Sequence, residues 1–371
     1  MCATKVNVNI PGEAAYDVRI GGGVLDQLGE SLRAVSATAK AQRILVITDS
    51  HVAPLYLARA KASLATAGYQ VDDITVPAGE NTKNAEVLAE VWEAMAVLGL
   101  DRHSVVVALG GGVVGDLAGF AAATYMRGIT VVQAPTTLLS MVDSSVGGKT
   151  GINLSSGKNL VGNFKQPVFV CADTSALDTL DQREWTCGLG EVAKSALIDG
   201  DDFFFWMCDN AQALASRQSD VVAQAIAKCV VFKANVVAQD KTESKGVREC
   251  LNYGHTLGHA VESLAGYGTF SHGAAVAEGM RFAARLAVEL AGASMDLVQA
   301  QDDLLDQLGL PSLDWSAPAP DMLACMKRDK KTRGGDIRFV LPHDVGDWRV
   351  QTVADDILLQ HLQLWAESKG E

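Results

Sequence analysis

Hydrophobic and polar positions along the first half of the chain follow a strand-then-helix rhythm. RILVITD (Arg43–Asp49) and VVVAL (Val105–Leu109) are short apolar runs that end at polar or glycine turns, the pattern of strands buried on both faces. NAEVLAEVWEAMAVL (Asn84–Leu98) repeats apolar residues three and four apart, which predicts an amphipathic helix. A further helix is predicted over Val113–Thr124, and Thr130–Val132 leads into Pro135 as another strand and turn. The opening MCATKVNVNI alternates like an edge strand and lacks the apolar block of a secretory leader. This alternation predicts a doubly wound sheet. Past about residue 180 the period changes: Glu191–Ile198, Val221–Val237, His255–Leu264, Ala274–Ala291 and Leu297–Leu308 are helical, and Ile337–Leu341 alone is β-like. The expected organisation is an α/β unit over 1–180 and a mainly helical unit over 181–371, with the boundary near Asp173–Arg183.

Composition narrows the function classes. The 371 residues carry 31 Lys plus Arg against 44 Asp plus Glu, a net charge of −13, with 48% hydrophobic and 20% charged residues. That is the balance of a globular protein of about two domains. Its acidity argues against nucleic acid or an anionic membrane as partner, while leaving room for a small anion held by a few local cations. No uncharged apolar run approaches the roughly 18 residues of a membrane span. The seven cysteines are scattered, odd in number and form no CxxC pair, which argues against a cysteine zinc site and a disulfide framework and suits a reducing compartment; with no leader-like block and no membrane-length run, the expected location is the cytoplasm.

Four segments carry candidate chemistry. GGGVVG (Gly110–Gly115) joins the strand VVVAL to a helix, where glycine lets backbone N–H groups approach a phosphate. Either a dinucleotide site or a plain tight turn fits it, the former drawing on Asp49 for a ribose. GGKT (Gly147–Thr150) is not a P-loop, because position 143 is Asp and not Gly. It belongs to a long stretch, Asp143–Asn159, that reads as an irregular loop, functional or merely solvated. His255 and His259 (HTLGH) stand four apart and share a helix face, His272 follows, and Glu191 and Lys194 share another face. Such residues suit a zinc site of His and carboxylate ligands, and spacing alone nominates His255 and His259 as the pair. Lys194, Lys233 and Arg248, with Asn252 nearby and Arg127 after the first glycine helix, could neutralise a phosphate and a carboxylate.

Taken together, GGGVVGDLAGFAAATYMRGI (110–129), QAPTTLLSMVDSSVGGKTGINLSSGKNLVGNFKQP (133–167), GLGEVAK (188–194), RECLNYGHTLGHAVE (248–262), SHGAAVAEGM (271–280) and RDKK (328–331) resemble the dehydroquinate synthases among the sugar phosphate cyclases, which are similar in fold to glycerol dehydrogenases. The resemblance is collinear and spans nearly the whole chain. It implies an N-terminal NAD-binding α/β domain and a C-terminal helical metal-binding domain. It also implies a homodimer that takes a seven-carbon 3-deoxy-keto-acid phosphate (DAHP) to 3-dehydroquinate. By motif position the metal ligands would be Glu191, His255 and His272, for Zn2+ or Co2+, which moves His259 from ligand to acid/base residue. NAD contacts would come from Asp49, His51, Glu80, Lys83, Gly111, Gly112, Val113, Asp116, Thr136, Thr137, Leu177, Asp178 and Thr179. Substrate binding would fall to Arg127, Lys158, Asn159, Lys233, Arg248, Asn252 and Lys331, and catalysis to His259, Asp143, Lys149, Lys194 and Glu243. The implied chemistry is transient oxidation, phosphate elimination, re-reduction, ring opening and an intramolecular aldol. A metal-dependent polyol dehydrogenase and a cyclase acting on another sugar phosphate are the alternatives, the second disfavoured by Arg248 and Asn252.

Overall fold

The computed structural model describes residues 3–266, 268–329 and 336–369, which divide into two compact units: Met1–Asp181 with Val222–Thr242, and Gln182–Val221 with Glu243–Glu371.

In the first unit the strands are β1 (Thr4–Val8), β2 (Tyr16–Gly21), β3 (Arg43–Asp49), β4 (Gln70–Val76), β5 (Val105–Gly110), β6 (Thr130–Pro135), β7 (Lys149–Leu154), β8 (Gly157–Phe164) and β9 (Phe169–Asp173). Its helices are α1 (Leu28–Ala34), α2 (Ala58–Thr66), α3 (Ala85–Val97) and α4 (Gly112–Thr124). Seven strands form one sheet in the order β1-β2-β9-β6-β5-β3-β4, parallel except for the antiparallel edge pair β1–β2. The alternating N-terminal run is thus an edge strand, as its pattern predicts. All six residues of β5 are buried, which is why its sequence is apolar without alternation. From β3 the chain steps outward to β4 and returns past β3 to β5. Right-handed crossovers therefore place α2 and α3 on opposite faces. The reversal makes the carboxyl ends of β3 and β5 a switch point, where such sheets bind ligands. One core cluster joins Leu45, Val106 and Ala108 to Leu88, Met95 and Leu117 of α3 and α4, each large side chain contributing about 1.5–3 kcal/mol by burial.

Two differences from the sequence reading concern this unit. The stretch expected to be an irregular loop is an antiparallel hairpin, β7–β8. Its glycines and hydroxyls hide a strand pattern: Ile152 faces the core while nearly all of β8 is exposed. The second difference is Val222–Thr242, read as part of the helical half but grouped with the sheet unit. Lys233 consequently belongs to the first unit.

The second unit is built from α5 (Gln182–Asp199), α6 (Asp201–Ala215), the start of α7 (Ser219–Gln239), α8 (His255–Ala265), α9 (His272–Ala291), α10 (Met295–Gln307), α11 (Ala319–Asp329) and α12 (Asp355–Glu367). A small antiparallel pair, β10 (Arg338–Asp344) and β11 (Asp347–Thr352), completes it. The predicted β-like run is β10, and β11 is its unforeseen partner. Glycines let three helices approach at backbone distance. A Cβ on Gly190 of α5 would lie 2.6 Å from the Gly273 carbonyl oxygen at the start of α9. One on Gly258 of α8 would lie 2.9 Å from the Ala275 oxygen. Helix α7 has 21 residues and a window of mean hydropathy 1.6, long and apolar enough to cross a membrane by those measures. That window is 61% buried in the fold, and Lys228 and Lys233 interrupt the helix. Among the described residues all six cysteines are free, and five are buried.

Candidate active site

The glycine-mediated packing of α5, α8 and α9 brings Glu191, His255 and His272 together, with one donor atom from each within 4.8 Å of the others. Glu191 is 2% exposed. Its Oε2 accepts a hydrogen bond from Lys194 Nζ, one helical turn on, and that ammonium also donates to the Leu251 carbonyl at 2.8 Å. Its Oε1 is buried with no hydrogen-bond partner, and lies 3.6 Å from His255 Nε2 and 3.7 Å from His272 Nε2. These spacings are too long for hydrogen bonds. They approach the roughly 3.3 Å that separates two donors each about 2 Å from a tetrahedrally held ion. An orphaned buried carboxylate oxygen facing two imidazole nitrogens fits a divalent cation.

The outer nitrogens of both rings are occupied. His255 Nδ1 is 3.1 Å from the Tyr253 carbonyl, and His272 Nδ1 is 3.0 Å from Glu262 Oε2. Both imidazoles therefore turn Nε2 toward Glu191. Burial, then the charge of Lys194 and the neighbouring histidines, holds His255 well below the ordinary histidine pKa, so it is a neutral donor at neutral pH. For His272 burial acts downward too, but the hydrogen bond to Glu262 and the charges of Glu191 and Glu262 outweigh it, and its pKa is raised.

The spacing-based pair His255 and His259 is corrected by this geometry. His259 is exposed and sits in a separate set with Glu262 and His272, while the buried oxygen of Glu191 faces His255 and His272. Arg248, 2% exposed, and Asn252 lie in one short turn, Val247–Asn252. Glu243 stands half-buried in the preceding turn with φ +58°. Lys331 lies outside the described residues.

The first unit gathers the remaining positions in groups. At the switch point, Asp49 ends β3 and one carboxylate oxygen accepts the amides of His51 (2.8 Å) and Val52 (3.0 Å). Gly111, Gly112 and Val113 form the turn into α4, whose N-terminus has no side-chain cap, leaving its amides for an anion. The turn after β6 adjoins it: the Thr136 amide donates to the Gly110 carbonyl at 3.0 Å, and a Cβ on Gly111 would sit 3.1 Å from Thr137 Cγ2. The bare approach that glycine gives here suits a nucleotide phosphate. Leu177, Asp178 and Thr179 follow β9 in a 3-10 turn, where Thr179 Oγ1 is 2.6 Å from Tyr56 Oη.

A second group in this unit is centred on Lys83. Its ammonium donates to Asp116 Oδ2 (2.9 Å) and Asn159 Oδ1 (2.6 Å), with Glu80 Oε1 at 3.5 Å. Burial raises the Asp116 pKa despite the pull of Lys83. Asn159, with φ +56°, thus joins the residues read as cofactor contacts. Asn153, which no motif singled out, ties the group together. It donates to Glu80 Oε1 at 2.7 Å, accepts the Asn159 amide at 2.8 Å and sends its own amide to the Lys83 carbonyl at 2.8 Å. Elsewhere in the unit, Lys233 Nζ donates to the Asp143 carbonyl (2.6 Å) and Oδ1 (2.7 Å). Arg127 occupies a left-handed turn, φ +68°, after Met126 at φ +49°, and Lys149 and Lys158 are exposed on the hairpin.

These features define a class: a two-unit enzyme with a dinucleotide-type turn at a parallel-sheet switch point and a two-histidine, one-carboxylate cation site among helices. The models of the 3-dehydroquinate synthase N-terminal and C-terminal regions match residues 73–187 and 188–332. A 3-dehydroquinate synthase of Citrifermentans bemidjiense is 45% identical over 356 residues, 96% of this chain and 97% of the relative. Among solved structures, a 2-deoxy-scyllo-inosose synthase complexed with carbaglucose-6-phosphate, NAD+ and Co2+ superposes with TM-score 0.88 at 27% identity, covering 97% of this chain and 100% of that one. A 2-epi-5-epi-valiolone synthase from Streptomyces hygroscopicus, with NAD+ and Zn2+ bound, gives 0.84 at 27% identity, covering 97% and 99%. The chain belongs to the 3-dehydroquinate synthase family.

Proposed function

We infer that this chain is a carbon–oxygen lyase that converts DAHP to 3-dehydroquinate and phosphate, the cyclisation step of the shikimate pathway toward chorismate and the aromatic amino acids. The observation that carries the reading is the buried Glu191 oxygen facing His255 and His272, in a chain of this family that also buries Lys194 and Arg248.

Glu191, His255 and His272 would hold the divalent cation, Zn2+ first and Co2+ as an alternative. The α4 turn, Asp49 and His51, Glu80, Lys83 and Asp116, Thr136 and Thr137, and Leu177–Thr179 would hold NAD. When bound, NAD+ supplies a reversible hydride acceptor, and the cation supplies a Lewis acid for the hydroxyl under oxidation. Everything else falls to side chains. Arg248 offers a bidentate guanidinium suited to the substrate carboxylate, and Lys233 a second cation. Lys149, Lys158 and Arg127 suit the phosphate, whose oxygens take the C6 proton as the phosphate leaves. Asn159 and Asn252 suit hydroxyls. Exposed His259, with Asp143, Lys194 and Glu243, would move protons in the redox and aldol steps.

We place the protein in the cytoplasm, in keeping with the six free cysteines among its described residues. We also read it as a homodimer, as the resemblance implies; the hairpin exposes the apolar side chains Leu154, Leu160, Val161 and Phe164, which a second copy would cover.

The test is turnover of the Zn2+- or Co2+-loaded protein with NAD+ and DAHP, following phosphate and identifying the product by mass spectrometry. Dehydroquinate is the expected product, with sedoheptulose phosphate left untouched. Turnover of sedoheptulose phosphate in preference to DAHP would make the chain a different cyclase and remove the role given to Arg248.

A further inference from the structure

His272 is the first residue of the 20-residue helix α9, so its ring sits at the positive end of the helix dipole. That location disfavours a cation on or beside the ring. Glu262, on α8, stands against this effect. Its Oε2 lies 3.0 Å from His272 Nδ1, and its side chain is 14% exposed, so water screens the pair only partly. An ionised carboxylate can only accept, which fixes the proton on Nδ1 and leaves the lone pair on Nε2. Nε2 is the nitrogen facing the orphaned Glu191 oxygen at 3.7 Å. His255 reaches the same state through a backbone acceptor, the Tyr253 carbonyl at 3.1 Å. Both rings open a helix, His255 at the start of α8 and His272 at the start of α9, but only His272 has a charged partner.

We propose that Glu262 is the positioning residue of the cation site: it fixes the tautomer and ring plane of His272, so that Nε2 faces the ion. This rests on the reading that Glu191, His255 and His272 bind a divalent cation. Glu262 itself is not a ligand in this account. It acts on the ion through His272, as carboxylates hydrogen-bonded to metal-binding histidines do.

The experiment compares the full-length protein with Glu262→Ala, Glu262→Gln and His272→Ala, without reference to turnover. Zn2+ affinity and stoichiometry are read by competition with a chromophoric chelator, and the Co2+ derivative by its visible absorption. Circular dichroism of the metal-free forms reports folding, and Gln keeps the size of the side chain should Ala disturb it. One ion per chain is expected in wild type. Affinity should fall about 10- to 100-fold in Glu262→Ala, fall less in Glu262→Gln, whose amide oxygen still accepts from Nδ1, and fall furthest in His272→Ala. The Co2+ bands should shift in the Glu262 variants at unchanged stoichiometry. Wild-type affinity and spectrum in Glu262→Ala would overturn the proposal while leaving the cation site intact. A drop from two ions per chain to one would also overturn it, by making Glu262 a ligand of a separate His259–Glu262–His272 site. No stoichiometric binding in wild type would overturn the cation-site reading itself.

Discussion

Gly190→Ala tests whether the cation site depends on backbone-to-backbone packing of α5 against the start of α9. The added Cβ would lie 2.6 Å from the Gly273 oxygen, 2.8 Å from its Cα and 3.0 Å from its carbonyl carbon, all of them backbone atoms that cannot rotate away. A carbon–oxygen contact settles at about 3.3 Å, so the two segments must separate by about 0.7 Å. The effect on stability is modest. Overpacking costs about 1–3 kcal/mol, and replacing a mid-helix glycine with alanine returns about 0.5–1 kcal/mol, leaving a net loss of about 0–2.5 kcal/mol. The effect on the site is larger, because Glu191 follows Gly190 directly, His272 precedes Gly273, and ion–ligand distances hold to about 0.2 Å. Zn2+ affinity should therefore fall about 10- to 100-fold while the metal-free protein still melts cooperatively. Chelator competition and thermal melting of the metal-free protein report the two quantities separately. A lower melting temperature with wild-type Zn2+ affinity would refute the reasoning.

Three further outcomes are expected. Burial pushes the Cys187 thiol up to about 12 and the Cys250 thiol up to about 11, so iodoacetamide at mildly alkaline pH should modify both only in denaturant; fast labelling of either in the native protein would contradict their burial. Lys83→Met removes the cation that opposes desolvation of Asp116 and should cost about 1–3 kcal/mol. Because the folded-state pKa of Asp116 is already raised and then rises further, the folded form binds the extra proton, so the deficit should grow as pH rises through the carboxylate range; a deficit largest in acid, by urea unfolding at several pH values, would reverse this sign. Asn153→Ala should lower stability by about 1–2 kcal/mol and weaken NAD+ binding measured by fluorescence, whereas unchanged NAD+ affinity would deny that the Asn153 clamp orients Glu80 and Lys83.

Much of the fold was legible because burial writes itself into sequence. Strands β3 and β5 are nearly unbroken apolar runs, and α8 and α9 repeat apolar residues along one face. The hairpin β7–β8 was not legible, since glycine and hydroxyl residues replace the apolar alternation of a half-buried strand and nearly all of β8 faces outward. The cation site shows the same limit. Spacing within one helix picks out His255 and His259, but it carries no information about an acid on α5 or a histidine opening α9. Those arrive through the glycine contacts and, beforehand, only through family resemblance. Glu262 and Asn153 lay beyond both routes. A carboxylate on an amphipathic helix and an asparagine in a strand read as ordinary polar positions until the fold supplies their partners.

In the proposed reaction oxidation is transient and phosphate departs in between. The direct measurement follows inorganic phosphate and NADH absorbance in one sample of metal-loaded protein given NAD+ and DAHP. One phosphate released per substrate consumed, with no net NADH, is the expected result. Accumulation of NADH, from this substrate or from glycerol, without phosphate release would make the chain a dehydrogenase and contradict it.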